Sequence, residues 1–249
     1  KDTLISKRII SILMVLFLLL SIVPVSASWQ QEEPSTYEDE AYIEEPETVE
    51  DTTDKVSTIS AASNAATSGV CGDNLTWEFD ESTGTLTISG TGEMWNWTDG
   101  NNAPWYDLRT YTESVIIEPG VTSIGDYAFE YSWMKSIDLP EGIIDIGEYA
   151  FYQSQLKSIL IPDGVKTIWH YAFCHCSSLT SVTIPPSVTG IGKWAFSLCP
   201  KLYDVYIFDV PSWCKISFYD RESNPVKSAG NLYIDGKKPT ELVVPEEVK

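Results

Sequence analysis

The chain repeats itself. Residues 120–129, 142–151, 164–173 and 187–196 align in register, and each segment closes on an Ala-Phe pair, at 128/129, 150/151, 172/173 and 195/196. The spacings are 22, 22 and 23 residues. A fixed period of this length restricts the chain to a stack of like units, because each unit is too small to enclose a core by itself.

The columns of the alignment state what each unit buries. Val115, Ile137, Ile159, Val182 and Val205 form one column, and Ile117, Leu139, Ile161, Ile184 and Ile207 form another two residues on. Two apolar columns one residue apart predict a strand that turns every second side chain to the core. Val121, Ile143, Val165 and Val188 follow, then Ile124, Ile146, Ile168 and Ile191. Met134, Leu156, Leu179 and Leu202 close each coil. Pro140, Pro162 and Pro185 stand where a strand must end, since proline has no donor for the next ladder bond. A coil buries roughly eight apolar side chains at ~1.5–3 kcal/mol each. Ordering its backbone costs ~1–2 kcal/mol per residue. The two terms are comparable, so neighbouring coils must supply the surplus through shared burial and a parallel ladder with strands about 4.8 Å apart.

The pattern Leu-x-Ser-Ile-x-Ile-Pro-x-Gly-Val-x-x-Ile-Gly-x-x-Ala-Phe resembles the BspA-like leucine-rich repeats of bacterial surface proteins. Residues 156–173 match it except that Trp169 stands where the pattern has Gly. The resemblance implies a mainly β, right-handed leucine-rich-repeat solenoid. It further implies one main parallel sheet, short strands on the other side and a helical turn near each Ala-Phe. It implies surface display with a role in binding or adhesion, and it implies no catalytic residues and no cofactor.

Outside the repeats the composition shifts. Lys1, Lys7 and Arg8 precede an apolar run over residues 9–23, and Val25-Ser26-Ala27 supplies small residues before a cleavage point after Ala27. Residues 1–27 therefore read as a secretory signal peptide. The run is short of the ~20 apolar residues a membrane span needs, so the mature chain is expected to have no span. Residues 28–68 read as an acidic, disordered linker, with eleven carboxylates and one Lys between Gln31 and Lys55. Removing residues 1–27 takes away Lys1, Lys7, Arg8 and Asp2, a net +2, and moves the formal charge from −20 to −22. Such a chain does not seek nucleic acid.

Residues 69–112 predict a β-hairpin cap ahead of four repeats over residues 113–208. Residues 75–79 and 85–89 alternate around a turn at Asp80-Glu81-Ser82-Thr83-Gly84, and Trp95, Trp97, Trp105 and Tyr106 follow. This stretch is similar to the segment that often precedes such repeats, and an open solenoid end requires a cover. Sugar stacking on Trp95 and Trp97 is the rival reading of these aromatics. The period lapses after Ile207, so residues 209–240 read as an irregular insertion. Residues 242–249 then align with residues 159–166, which predicts that residues 241–249 open a further, truncated repeat. The first residue is Lys rather than Met and the last lies inside a repeat, so a longer natural protein is expected.

Five cysteines are present: Cys71, Cys174, Cys176, Cys199 and Cys214. Cys176 and Cys199 share a column with Ser132 and Ser154, which predicts a small buried side chain there. A Cys176–Cys199 disulfide is the alternative, although parallel side chains do not easily meet its Cβ geometry. His170, Cys174, His175 and Cys176 crowd potential zinc ligands together, yet at a spacing that does not make a closed site, so no metal is expected.

Two surfaces are candidates for binding. The outward column of the strands is Ile116, Asp138, Leu160, Thr183 and Tyr206, flanked by Ser114, Ser136, Ser158, Ser181 and Asp204. The alternative is an aromatic patch of Trp169, Tyr171 and Trp194, with Tyr127 and Tyr149 in the same column and self-packing as the plainer reading. The chain is thus expected to be secreted or displayed at the cell surface, non-catalytic, and to bind an extracellular protein or polysaccharide. A targeting region of a larger secreted enzyme and a structural spacer in the cell envelope are the alternatives.

Overall fold

A computed structural model of the chain describes residues 66–240. The signal peptide, all but the end of the acidic linker and the final repeat start lie outside the described residues.

The body begins as an antiparallel ribbon. β1 (Ser68–Gly72) pairs with β2 (Leu75–Asp80), and β2 pairs with β3 (Thr85–Gly90) in the register Leu75↔Gly90 to Asp80↔Thr85. Asp80 shapes the connection: its carboxylate accepts the Ser82 N–H at 2.9 Å and the Ser82 hydroxyl at 2.6 Å. Gly84 finishes the turn at φ 65°, the left-handed region that a glycine enters at little cost.

β3 then pairs in parallel with β4 (Ser114–Ile117), and β4 with β6 (Ser136–Asp138). β8 (Ser158–Leu160), β10 (Ser181–Ile184), β12 (Asp204–Ile207) and β14 (Asn231–Ile234) form a second parallel ladder. The strand side is therefore two ladders that part between β6 and β8, where the resemblance implied one. Two-residue strands line the other side: β5 (Ser123–Ile124), β7 (Asp145–Ile146), β9 (Thr167–Ile168), β11 (Gly190–Ile191) and β13 (Ser217–Phe218), all parallel. The result is a mostly β solenoid whose apolar columns are buried between these sheets, Ile137 alone in its column being half-buried.

The turns at the Ala-Phe pairs use a backbone that the alignment did not suggest. Tyr127, Tyr149, Tyr171 and Trp194 all lie at φ between 53° and 58°, and Tyr131, Gln153, His175 and Leu198 repeat that conformation four residues on. Left-handed residues with side chains cost ~1–2 kcal/mol each. What offsets the cost is a ladder along the stack. The N–H groups of Tyr127, Phe129 and Tyr131 each donate to the next coil, to the carbonyls of Glu148, Ala150 and Tyr152, at 2.8 Å. Phe151, Phe173 and the residues around them do the same, so every coil is hydrogen-bonded to its neighbour on the turn side as well as the strand side.

Inside, the phenylalanines form one pile. Phe129, Phe151, Phe173 and Phe196 stack at 5.5, 5.0 and 5.1 Å between centroids, within 14° of parallel. Trp105 extends the pile at the N-terminal end, 5.5 Å from Phe129 and 17° from parallel, with its indole N–H donating to the Ala128 carbonyl at 2.7 Å. Trp77 and Trp97 pack edge-on against Trp105.

Pairing with the stack continues into residues 209–240. Ser217 and Phe218 pair with Gly190 and Ile191, and β14 pairs with β12 from Asp204↔Asn231 to Ile207↔Ile234. The segment is itself a coil of the stack. Its period is longer because Val205 and its partner Leu232 are 27 residues apart, and the surplus is taken up by a short helix, α1 (Val210–Cys214). Asp209 caps α1 by accepting the Ser212 N–H at 2.7 Å, and Pro211 fits its first turn. Short 3-10 turns at Arg221–Ser223 and Pro225–Lys227 complete the coil.

Candidate functional site

Pairing register sets which side chains share the outer face. Thr87, Ile116 and Asp138 are aligned across β3, β4 and β6. Leu160, Thr183, Tyr206 and Tyr233 are aligned across the second ladder. The five residues read from the alignment thus lie on one outward column, divided by the part between the ladders. Leu160 is 67% exposed and Ile116 44%, while Asp138 is exposed and Thr183 and Tyr206 are half-buried. Tyr206 is half-buried because Tyr233 stacks on it at 4.6 Å and 16°. Polar neighbours tie the flanking row together: Asn231 Nδ2 donates to Asp204 Oδ1 at 2.7 Å, and Thr85 Oγ1 lies 3.2 Å from Ser114 Oγ.

Three aromatics of this face escape the sequence reading. Tyr233 sits in the segment taken for an insertion. Phe208 stands at the position that Pro140, Pro162 and Pro185 hold in the three preceding coils and is 51% exposed, and Tyr203, just before β12, is 57% exposed. The break from the column pattern at residue 208 is the signal that was available for Phe208.

The aromatic patch on the turn side has a different character. Tyr127, Tyr149 and Tyr171 stack at 4.8 and 4.7 Å, within 11° of parallel, so Tyr149 is buried between its neighbours. Trp194 meets Tyr171 at 5.9 Å, tilted by 60°. Trp169 lies beside His170, 6.2 Å away and nearly perpendicular. Its backbone keeps the geometry of the glycines it replaces: the Trp169 N–H donates to the Ile146 carbonyl as that of Gly147 does to Ile124, both at 2.9 Å.

A further ladder on this side was not foreseen. At three levels of the stack a side chain accepts an amide N–H from the next coil. Asn96 Oδ1 accepts from Asp126 at 3.0 Å, Asp126 Oδ1 from Glu148 at 2.7 Å, and His170 Nδ1 from Lys193 at 2.8 Å. That bond occupies one of the two ring nitrogens through which His170 would bind a metal. The cysteine column is equally committed. Cys176 Sγ donates to the Phe151 carbonyl and Cys199 Sγ to the Phe173 carbonyl, each at 3.1 Å, and none of the five cysteines is in a disulfide. Burial pushes the Cys71 thiol up to about 12. The bond with Cys176 together with burial raises that of Cys199. Among the described residues no three metal-ligating side chains converge.

Two glutamates are titratable near neutrality. Burial raises both Glu130 and Glu148 to about 7, with Asp99 adding to the first and Asp126 to the second, although Glu130 accepts the Gly100 N–H at 2.7 Å. Glu148 Oε1 is buried without a hydrogen-bond partner among the described residues. A carboxyl whose folded pKa lies above its unfolded value of ~4.3 stabilises the fold below that value. The contribution is lost as pH rises through about 7. Stability is therefore expected to fall between about pH 4.5 and 7.5 by ~1–2 kcal/mol per group, screening at these half-buried sites having been allowed for. Urea denaturation across that range checks this: Glu130→Gln with Glu148→Gln should flatten the decline, and an unchanged slope contradicts it.

Comparison with known proteins follows the geometry. Residues 106–223 match the family model for the BspA type leucine rich repeat region, in six copies. Among solved structures, the chain is similar to a leucine-rich repeat protein from Eubacterium ventriosum, at 25% identity and a TM-score of 0.46 over 57% of this chain and 44% of that one. It is similar to the same degree to a leucine rich cell surface protein from Faecalibacterium prausnitzii, at 25% identity and 0.46 over 63% of this chain and 44% of that one. The chain thus spans less than half the length of either protein. No curated protein matches it. Among the described residues no helix is long and apolar enough to cross a membrane.

Proposed function

We propose, from the match of residues 106–223 to the family model for the BspA type leucine rich repeat region, that the chain is an exported, non-catalytic surface protein whose outer strand face binds an extracellular partner and so mediates adhesion. The observation that carries this reading is the exposure of Ile116 and Leu160 on the outward column, one on each of the two ladders. Apolar side chains held outward in one column by a rigid backbone are suited to contact, and they lose little conformational freedom on binding. The apolar run before Ala27 and the acidic stretch behind it support export and a tether between the anchor point and the solenoid. An anionic partner without basic groups would have to overcome the formal charge of −20, and nucleic acid is such a partner.

Binding of the full chain to intact cells tests the proposal. The triple change Ile116→Ser, Leu160→Ser, Tyr206→Ser removes outward side chains and leaves the buried columns whole. It is expected to weaken binding at least ~10-fold, equivalent to ~1.4 kcal/mol, with the thermal unfolding midpoint nearly unchanged. Undiminished binding by a folded triple variant contradicts the assignment of this face and favours the spacer reading.

A further inference from the structure

Charge is divided along the stack. Residues 66–156 carry fifteen carboxylates against two basic side chains, a net −13, while residues 157–240 carry six against nine, a net +3. The division falls where the two ladders part, between β6 and β8. Four of the six carboxylates of the second half are tied into local bonds. Asp204 accepts from Asn231, Asp209 caps α1, Asp220 holds Ser223 and Glu222 pairs with Lys227. The other two, Asp163 and Asp235, are exposed past the C-terminal ends of β8 and β14.

Lysines gather at the opposite border of the second ladder. Exposed Lys157 immediately precedes β8, and exposed Lys201 stands three residues before β12. Lys238 follows β14 in sequence, but the turn at Asp235 and Gly236 brings the chain back, and its ammonium donates to Asn231 Oδ1 at the start of β14. Lys237, paired with Ile234, stays with Asp163 and Asp235 at the other border. Three lysines thus edge the N-terminal ends of the second ladder, over three strand spacings or ~14 Å. Asp204, bonded to Asn231, is the carboxylate of that edge. We propose that the chain's own residues 32–51 dock along this edge, their carboxylates on Lys157, Lys201 and Lys238, beside the outward column of Leu160, Thr183, Tyr206 and Tyr233 and without covering it. This contact goes beyond the binding role proposed above and does not depend on it.

Charge, reach and tethering select this occupant. Residues 32–51 hold ten carboxylates and no basic side chain, grouped at 32–33, 38–40, 44–45 and 50–51 with Glu47 besides. Asp51 lies fifteen residues before Ala66, where the described residues begin. Fifteen residues reach up to ~50 Å. From β1 to β12 the two ladders run through seven strand spacings, or ~34 Å, so the segment reaches the lysines of its own chain. The first half of the stack, at −13, repels it, and the lysine edge is the positive surface beyond. A separate anionic partner meets the formal charge of −20 on approach, whereas a tethered segment is held at an effective concentration in the millimolar range.

The test is zero-length carbodiimide cross-linking of the full chain, read by peptide mass analysis. Glu113 and Lys135, 2.5 Å apart, supply an internal standard. Residues 32–51 are expected to be joined to Lys157, Lys201 or Lys238 in preference to Lys166 and Lys215 beside the short strands. The links should fade in about 1 M salt, where the Debye length is about 3 Å. In an equal mixture of isotope-labelled and unlabelled chains they should join residues of one isotopic form. The variant Glu38→Gln, Asp39→Asn, Glu40→Gln, Glu44→Gln, Glu45→Gln is expected to speed acylation of Lys157 and Lys201 by about 3-fold, the scale of surface ion pairing, and to leave Lys166 unchanged. Links spread evenly over the lysines, or their absence while the Glu113–Lys135 link forms, overturn the inference. So do equal acylation rates, and links between isotopic forms, which would give the edge to a second copy of the chain. The cell-binding assay judges the adhesion role separately.

Discussion

Phe151→Ala is expected to destabilise the chain by ~3–5 kcal/mol, more than any change on the surface. Phe151 is fully buried, with Phe129 on one face at 5.5 Å and Phe173 on the other at 5.0 Å. Removing it opens a void bounded by two rings that are themselves held by their neighbours. The pile cannot close over the gap, because strand and turn ladders on both sides fix the separation of the coils. Its carbonyl also receives the Cys176 thiol, so backbone relaxation at this residue disturbs the cysteine column as well. Asp138→Ala, on the exposed outward column, should change stability by less than ~0.5 kcal/mol. Chemical denaturation of the two variants side by side decides the matter. A loss below ~1 kcal/mol for Phe151→Ala would show that the pile is not the centre of the core.

Trp105→Ala should cost nearly as much, from a residue that lies outside the four aligned coils. The indole covers Phe129, meets Trp77 and Trp97 edge-on, and donates to the Ala128 carbonyl at 2.7 Å. Truncation removes the packing, worth ~3–5 kcal/mol for a buried aromatic, and leaves a buried carbonyl short of its donor. Trp105→Phe retains the ring on the pile and loses the hydrogen bond, so a loss of only ~1–2 kcal/mol is expected. Denaturation midpoints of the pair separate the two contributions. Equal losses for Ala and Phe would mean that the hydrogen bond, and not the stacked ring, is what the end of the pile requires.

The buried half of this structure was legible in the sequence because burial is periodic. Val115, Ile117, Val121 and Ile124 recur in every coil, and the columns they head lie in the core between the two strand sides. The strand that each pair of columns predicts is present in each coil, and the prolines follow the strand ends. What the alignment withheld has physical reasons. Backbone conformation was invisible where no glycine or asparagine marks it: Tyr127, Tyr149 and Tyr171 are left-handed because inter-coil hydrogen bonds hold them so, which is a property of the stack and not of tyrosine. The last coil was hidden by its 27-residue spacing, since α1 lengthens the loop and shifts the strand pattern out of register.

The outer face was the least legible part. A column position says that a side chain points outward, but its exposure depends on the neighbour across the ladder. Leu160 and Tyr206 occupy the same column, yet Leu160 stands free while Tyr206 is half covered by Tyr233. The side-chain ladder through Asn96, Asp126 and His170 was missed for a related reason. Three residue types share one role there, and identity in the alignment is what the eye follows.

The most direct test of the account is a footprint of the binding surface. Hydroxyl-radical oxidation of the full chain, free and bound to intact cells, followed by peptide mass analysis, reads the exposure of each aromatic in the two states. If the strand face is the contact surface, Tyr203, Tyr206, Phe208 and Tyr233 are protected on binding, and Trp169 and Trp194 on the turn side keep their free rates. Protection of Trp169 and Trp194 with unchanged oxidation of Tyr203 and Phe208 would contradict the account and move the contact to the opposite side of the solenoid.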